Sequence, residues 1–325
     1  MSVDALTFQL NWEPNGFQAP YFLARERGYY DEEGVDVAFL EGHGSPFAAE
    51  QAARGEADVA LAGASAVLSV QSQGLEPLAV AAVTGKTPAA IYTLRDVFGE
   101  ALERPEQLVG RIVAPSATKT RILTAQLLED AGIREEVDLL EVDPHTHHRV
   151  QHQVLDGSVD AAVGVVTNGL ELEREHGRTA DELPIGEYLE IYGMTLVTNP
   201  EFASNESETM RSFLRATARG WADATADPEA AIDALIARNA TLERRREIER
   251  EKFETAARDL QFIPHVEEAG WGHHDGDRWR RLGETLAETD LLEGPIDPDA
   301  VWTNEYLDAG SELVREYVAR VRGRG

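Results

Sequence analysis

The feature that most restricts what this chain can fold into is an internal repeat. Segment 53–63 (ARGEADVALAG) is matched by 155–165 (LDGSVDAAVGV), which sets Gly55 and Gly157 102 positions apart. Upstream, 23–41 (LARERGYYDEEGVDVAFLE) has the pattern of 127–143 (LLEDAGIREEVDLLEVD). Each match reads as helix, glycine, apolar strand. One such match is common punctuation, but two in the same order define a duplicated unit.

The hydrophobic periodicity fills in both copies. In the first, strands are predicted at 6–10, 35–40, 58–61 and 78–83, with helices at 20–30, 47–54 and 66–73 between them. In the second, strands at 111–114, 137–142 and 160–165 alternate with helices at 121–131 and 147–155. Alternation of this kind predicts α/β architecture, two βαβαβ units each forming a parallel sheet. Segments 91–92 and 191–197 serve as crossovers. Lobe one is then 1–92 plus 193–325, and lobe two is the insertion 93–192. Beyond 195 the chain reads as a helical return, with helices at 207–226, from Pro228, at 241–260, 277–289 and 304–321.

Parallel sheets bind ligands beyond the carboxyl ends of their strands. Those ends are 11–17, 41–46 and 62–65 in the first unit, and 115–120, 143–148 and 165–168 in the second. With the units facing one another, these loops are expected to line a single cleft.

Charge and composition exclude several functions. Fifty-nine acidic residues against 30 basic ones give a net charge of −29, and only Lys86, Lys119 and Lys252 are lysines. A surface this acidic repels phosphate backbones and anionic lipids, so no nucleic-acid partner is expected. It reads as a halophilic surface kept hydrated in high salt. The absence of cysteine removes disulfides, thiolate metal sites, thiol nucleophiles and a lipid-modified cysteine. The N-terminus shows no signal peptide, and no window is apolar enough to span a membrane. As written, the chain reads as cytoplasmic, or as extracellular if a leader was removed.

The residues at the predicted strand ends then become recognisable. Segment 8–37 resembles the opening of the NMT1/THI5-like family, through Leu10-Asn11-Trp12, Gly28-Tyr29-Tyr30 and Glu33-Gly34-Val35-Asp36-Val37. The two Gly-x-x-Asp segments and Trp302-Thr303-Asn304-Glu305-Tyr306-Leu307 match further family words. The resemblance runs from residue 6 to 307. It implies a two-lobed periplasmic-binding-protein type II fold with a helical C-terminal return. It also implies one of two activities. One is a solute-binding component of an ABC transport system, taking a thiamine pyrimidine precursor such as formylaminopyrimidine or hydroxymethylpyrimidine to a permease and ATPase. The other is a pyrimidine synthase that draws on lysine-bound pyridoxal phosphate. The synthase branch's lysine falls on Ala62, its histidine falls on Gln18, and its cysteine-rich loop, near 188–193, has no cysteine. A Schiff base needs a lysine amine. The resemblance therefore implies a binding protein without a cofactor, with a sulfonate, nitrate or flavin-like ligand as the alternative within the wider family.

Candidate ligand-binding residues follow from chemistry at the strand ends. Trp12 offers a stacking face for a flat heterocycle, and Asn11 a donor and an acceptor. Phe17 and Tyr21 are placed to complete an aromatic box. Ser65, Ser116, Thr118 and Thr120 stand before or at helix starts, where hydroxyls and free N–H groups hold anionic or carbonyl oxygens, or simply cap the helix. Lys119 adds a positive charge beside them. Glu190 and Tyr192 lie at the return crossover, where a carboxylate would accept from an aminopyrimidine; Glu171, after the second-lobe strand end, is weighed the same way. Of the histidines His145, His147, His148 and His152, the last two are i,i+4 on one helix face, which can hold a metal, but there is no H-E-x-x-H and no carboxylate at a suitable spacing within the helix. The segment 272–277 (GHHDGD) has metal-capable side chains but reads as a loop, so no metal site is expected.

Overall fold

A computed structural model describes residues 4–142, 150–261, 269–288 and 292–307, and among these described residues there are ten strands and thirteen α-helices. In chain order the strands are β1 (Asp4–Gln9), β2 (Val35–Leu40), β3 (Val59–Gly63), β4 (Leu78–Ala82), β5 (Ala89–Leu94), β6 (Ile112–Pro115), β7 (Asp138–Leu139), β8 (Ala161–Val165), β9 (Ala180–Pro184) and β10 (Met194–Thr198). The helices are α1 (Ala19–Glu26), α2 (Tyr29–Glu32), α3 (Ser45–Ala53), α4 (Ala64–Ser72), α5 (Arg95–Phe98), α6 (Thr118–Asp130), α7 (Val150–Asp156), α8 (Asn168–His176), α9 (Pro200–Asn205), α10 (Ser207–Ala226), α11 (Pro228–Arg238), α12 (Arg246–Thr255) and α13 (Gly276–Ala287).

The chain divides into two units, 1–86 with 191–325, and 87–190. The boundary expected at 92/93 falls inside β5. That strand pairs with β8 and β9 along its length, so it belongs wholly to the second unit. Each unit holds one five-stranded sheet, ordered β2-β1-β3-β10-β4 in the first and β7-β6-β8-β5-β9 in the second. These are the same arrangement, strand for strand. The sheets are mixed, not parallel as the alternation predicts: β10 is antiparallel to β3 and β4, and β5 to β8 and β9. In each unit the reversed strand is the one at the chain crossing, which enters against the direction of the strands it separates. β9, with adjacent carboxylates in ADELP, is not anticipated by an apolar pattern.

The repeat has a chemical reason. Asp58 of the first Gly-x-x-Asp accepts from the N–H and the hydroxyl of Thr7, each at 2.7 Å. Asp160 of the second accepts from the N–H of Ile112 at 2.8 Å and from Arg111 at 3.1 Å. Each aspartate ties the strand it opens to the parallel strand beside it, β1 in the first unit and β6 in the second. Its backbone carbonyl receives a further bond from the reversed strand: Thr198 Oγ1 to Asp58 at 2.7 Å, and Thr93 Oγ1 to Asp160 at 2.5 Å. Hydrogen bonds to a partly buried charge contribute about 1.5–3 kcal/mol. Asp58→Ala is therefore expected to cost about 2–3 kcal/mol, with faster hydrogen exchange confined to the first unit's sheet, and Asp160→Ala to do the same only in the second. Exchange measured by mass spectrometry on the two variants checks this.

In the first unit the core lies between the sheet and α1 and α10. Phe8 meets Tyr21 and Phe213 edge-on at 5.1 and 5.3 Å, and Tyr21 meets Trp221 at 6.0 Å. Gly220 lets α10 reach α1, since a Cβ there would stand 2.6 Å from the Pro20 carbonyl oxygen. The C-terminal family word runs along β4: Ala79 N–H donates to the Val301 carbonyl at 2.7 Å, and Thr303 N–H to the Ala79 carbonyl at 3.0 Å. An otherwise open sheet edge is covered in this way. The expected helix 241–260 is three pieces, a 3₁₀ segment Ala240–Arg245, α12, and a π-helical turn Ala256–Leu260. No described helix is long and apolar enough to cross a membrane.

Candidate functional site

In the first unit the carboxyl edge of the sheet is built around two laced loops. β1 runs out into Asn11 and Trp12, and β2 into 41–44. Gly44 N–H donates to the Asn11 carbonyl at 2.7 Å. The buried Gln9 side chain donates to the carbonyls of Leu10 and Glu41 at 3.0 and 2.8 Å. Gly42 packs so closely that a Cβ would lie 1.9 Å from the Leu10 carbonyl oxygen. Gly42→Ala must therefore move the Asn11–Trp12 backbone. It is expected to cost about 1–3 kcal/mol as overpacking, and to reduce ligand affinity more than a surface change would; denaturant titration and calorimetry check both.

On this fixed backbone the Trp12 indole is 46% exposed. Leu40, ending β2, and Phe47, in α3, are also exposed, and Phe47 meets His43 edge-on at 5.5 Å. An exposed indole held by a rigid backbone is suited to stacking. Asn11 accepts from Gln18 Nε2 at 2.9 Å. Gln18 closes the 3₁₀ turn Gly16–Gln18, which Asn15 caps by accepting from Phe17 N–H at 3.0 Å. The turn is fixed from behind by Glu249, a buried carboxylate of α12 that accepts from Gly16 N–H at 2.7 Å and from Lys252 at 3.4 Å.

The other candidates divide between this edge and the core. Phe17 is half-buried on the turn. Tyr21 is wholly buried among Phe8 and Trp221, and burial drives its hydroxyl pKa strongly up, so it is a core residue and does not contribute to the expected aromatic box. Ser65 is buried in the first turn of α4, whose leading Ala64 N–H donates to the Gly193 carbonyl at 2.8 Å. Tyr192 is buried as well. Its hydroxyl accepts from Asp275 N–H at 2.6 Å, its ring lies against His274 and Trp279, and burial pushes its pKa up to about 12. Glu190, by contrast, is exposed at the end of the second unit.

In the second unit the carboxyl edge holds Ser116, Thr118, Lys119 and Thr120. Thr120 is the internal cap of α6: its hydroxyl accepts from Ala117 N–H at 3.1 Å and donates to the Ala117 carbonyl at 2.8 Å. Ser116 is half-buried, its N–H given to Val163 at 2.9 Å, and Thr118 is exposed. Lys119, in the first turn of α6, is half-buried, and burial pushes its ammonium down to about 8. A lysine depressed in the folded state binds fewer protons there than in the unfolded chain, so its contribution to stability improves as pH rises from about 8 to about 10.4. Lys119→Met is expected to raise the melting temperature at pH 7 and to abolish that improvement; melts at pH 7 and 10 test it.

The start of α8 is arranged differently. Glu182 accepts from Thr167 N–H at 3.0 Å and Gly169 N–H at 2.6 Å, and burial pushes its carboxyl up. Thr167 is the single non-glycine residue with positive φ among those described, at 83°. That helix start therefore already holds a carboxylate of the chain itself. Glu171 is half-buried on α8. His145, His147 and His148 lie outside the described residues, and His152 is exposed on α7. His274 accepts from Trp279 Nε1 at 3.1 Å. Among the described residues no three metal-capable side chains converge.

Two duplicated α/β units, their sheets reversed at one strand each, define a periplasmic-binding-protein-like fold. The sulfonate-binding protein SsuA of Escherichia coli superposes with a TM-score of 0.71 at 14% identity, covering 94% of this chain and 99% of that one. The NMT1/THI5-like family matches residues 15–231, and the chain belongs to that family. Among its relatives, the riboflavin-binding protein RibY of Chloroflexus aurantiacus is 24% identical over 95% of this chain and 88% of its own. A formylaminopyrimidine-binding protein of Halalkalibacterium halodurans is 23% identical over 91% and 88%. A 4-amino-5-hydroxymethyl-2-methylpyrimidine phosphate synthase of Saccharomyces cerevisiae is 27% identical over 70% and 69%.

Proposed function

We propose that this chain is the solute-binding component of an ABC import system, with a planar nitrogen heterocycle of the thiamine-pyrimidine class as its ligand. The observation that carries the reading is Trp12, an exposed indole on a locked backbone beside the Asn11 amide. Stacking supplies affinity for any flat ring, and the amide supplies orientation. The formylaminopyrimidine-binding relative supports the ligand class.

The role is capture and delivery to a permease and ATPase, without covalent chemistry. Ala62, where the resemblance places the synthase lysine, is a buried alanine of β3 opposite Thr195. A second reading, a flavin, is favoured by the match to RibY over nearly the whole chain. Thermal-shift assays in molar salt test these readings against formylaminopyrimidine, hydroxymethylpyrimidine, riboflavin, an alkanesulfonate, nitrate and pyridoxal phosphate. The pyrimidines are expected to give the largest shift. A shift with riboflavin alone would replace the first reading by the second. A Schiff-base absorbance with pyridoxal phosphate would overturn the non-enzymatic role.

The surface is proposed to be halophilic. Screening of a net charge of −29 is expected to raise the melting temperature between 0.1 and 2 M KCl.

A further inference from the structure

The polarity of Asn11 can be derived from its neighbours. A backbone N–H can only donate. Asn15 N–H lies 3.1 Å from the end of the Gln18 side chain, so the atom facing it is the carbonyl oxygen Oε1. The other end of that amide, Nε2, can only donate, and it lies 2.9 Å from Asn11. The Asn11 atom there must be the acceptor Oδ1. Gln18 is 2% exposed, so water does not compete for either bond. Asn15 is held in turn, its Oδ1 taken by Phe17 N–H and its Nδ2 given to the Glu13 carbonyl at 3.1 Å. The turn that carries Gln18 is tied down by Glu249.

We infer that Gln18 is a positioning and specificity-determining residue: it fixes the Asn11 amide so that Nδ2 faces outward beside Trp12, and the site presents a donor, selecting ligands that carry an acceptor there. The matching chemical class is a planar ring bearing a carbonyl oxygen or an unprotonated ring nitrogen. A ring presenting only N–H groups at that point meets an unmatched donor. Asparagine alone would offer either polarity; the buried glutamine removes one of them. This inference rests on the proposed reading of the first unit's edge as the ligand site.

Two arms need no ligand. In ¹⁵N-labelled protein, the Asn11 side-chain protons, assigned by their disappearance in Asn11→Asp, should exchange readily with water, and a Gln18 side-chain proton should be protected. Asn11→Asp keeps an acceptor toward Gln18 and replaces the outward donor by an acceptor. Its melting temperature should stay within about 2 °C of wild type. Its affinity for formylaminopyrimidine should fall about 10-fold or more, as expected when a donor is withdrawn from a desolvated acceptor. Gln18→Met, similar in volume but without the amide, should lower that affinity about 3- to 10-fold and make the Asn11 protons heterogeneous in shift.

Protected Asn11 protons in wild type would overturn the inference. So would an Asn11→Asp protein that melts several degrees lower yet binds the probe normally, because that is the signature of the opposite polarity. If the exchange and stability results hold and neither formylaminopyrimidine nor riboflavin binds wild type, the ligand assignment fails and the polarity stands.

Discussion

Replacing Glu249 by alanine is expected to lower stability by about 3–5 kcal/mol, the usual consequence of withdrawing one member of a buried, hydrogen-bonded charge pair. The carboxylate is 1% exposed. It accepts from Gly16 N–H at 2.7 Å and from Lys252 at 3.4 Å, with Arg245 at 3.9 Å. Alanine leaves the Gly16 N–H without its acceptor and takes the counter-charge from Lys252, itself largely buried. The contact also sets spacing, because a Cβ on Gly16 would lie 1.9 Å from the Glu249 carbonyl oxygen. Glu249→Gln retains an acceptor of the same shape and is expected to cost about 1–2 kcal/mol. Urea denaturation gives the stabilities, and hydrogen exchange over 11–18 locates the loss. A Glu249→Ala protein within about 0.5 kcal/mol of wild type would contradict the account. Affinity should also fall, because α12 holds the turn that orients Asn11.

The Trp12→Ala substitution should behave in the opposite way. The indole is nearly half exposed, and truncating it should leave stability within about 0.5 kcal/mol. Stacking of a flat base on an aromatic ring contributes about 1–3 kcal/mol. Affinity for the pyrimidine or flavin probe should therefore fall about 10- to 100-fold, with Trp12→Phe between. Calorimetry with formylaminopyrimidine and fluorescence titration with riboflavin measure it. Unchanged affinity in Trp12→Ala would remove the observation on which the proposed function rests. Together the two substitutions separate the residue proposed to meet the ligand from the one that supports its backbone.

Much of the fold is legible in the sequence because local chemistry repeats. Gly55 and Gly157 both adopt positive φ, 71° and 73°, after their helices, and Asp58 and Asp160 follow at the same spacing. The strand ends named as ligand loops include Asn11 and Trp12, where the indole is exposed. The hydroxyls are less legible. Thr120 and Ser65 stand at helix starts, where capping and ligand binding ask for the same residue types, and in Thr120 the hydroxyl is spent on Ala117. Tyr21 and Tyr192 carry polar tips that suit a site or a core equally well. Both went into the core, Tyr21 because its helix turns that face to the sheet, and Tyr192 because Asp275 supplies its bond from 83 residues away.

The sequence by itself determined the duplication, the α/β class, the loops that end the first strands and the absence of thiol chemistry. These depend on residue type and on spacings within a few tens of residues. Tertiary structure alone decided which strand in each sheet runs backward, which tyrosines are buried, and which way the Asn11 amide points. The first two depend on partners far apart in the chain, and the third on a local turn that is itself anchored from a distance, Gly16 to Glu249, separated by 233 residues. Periodicity records which face of an element is buried. It carries no record of the distant group that completes a hydrogen bond.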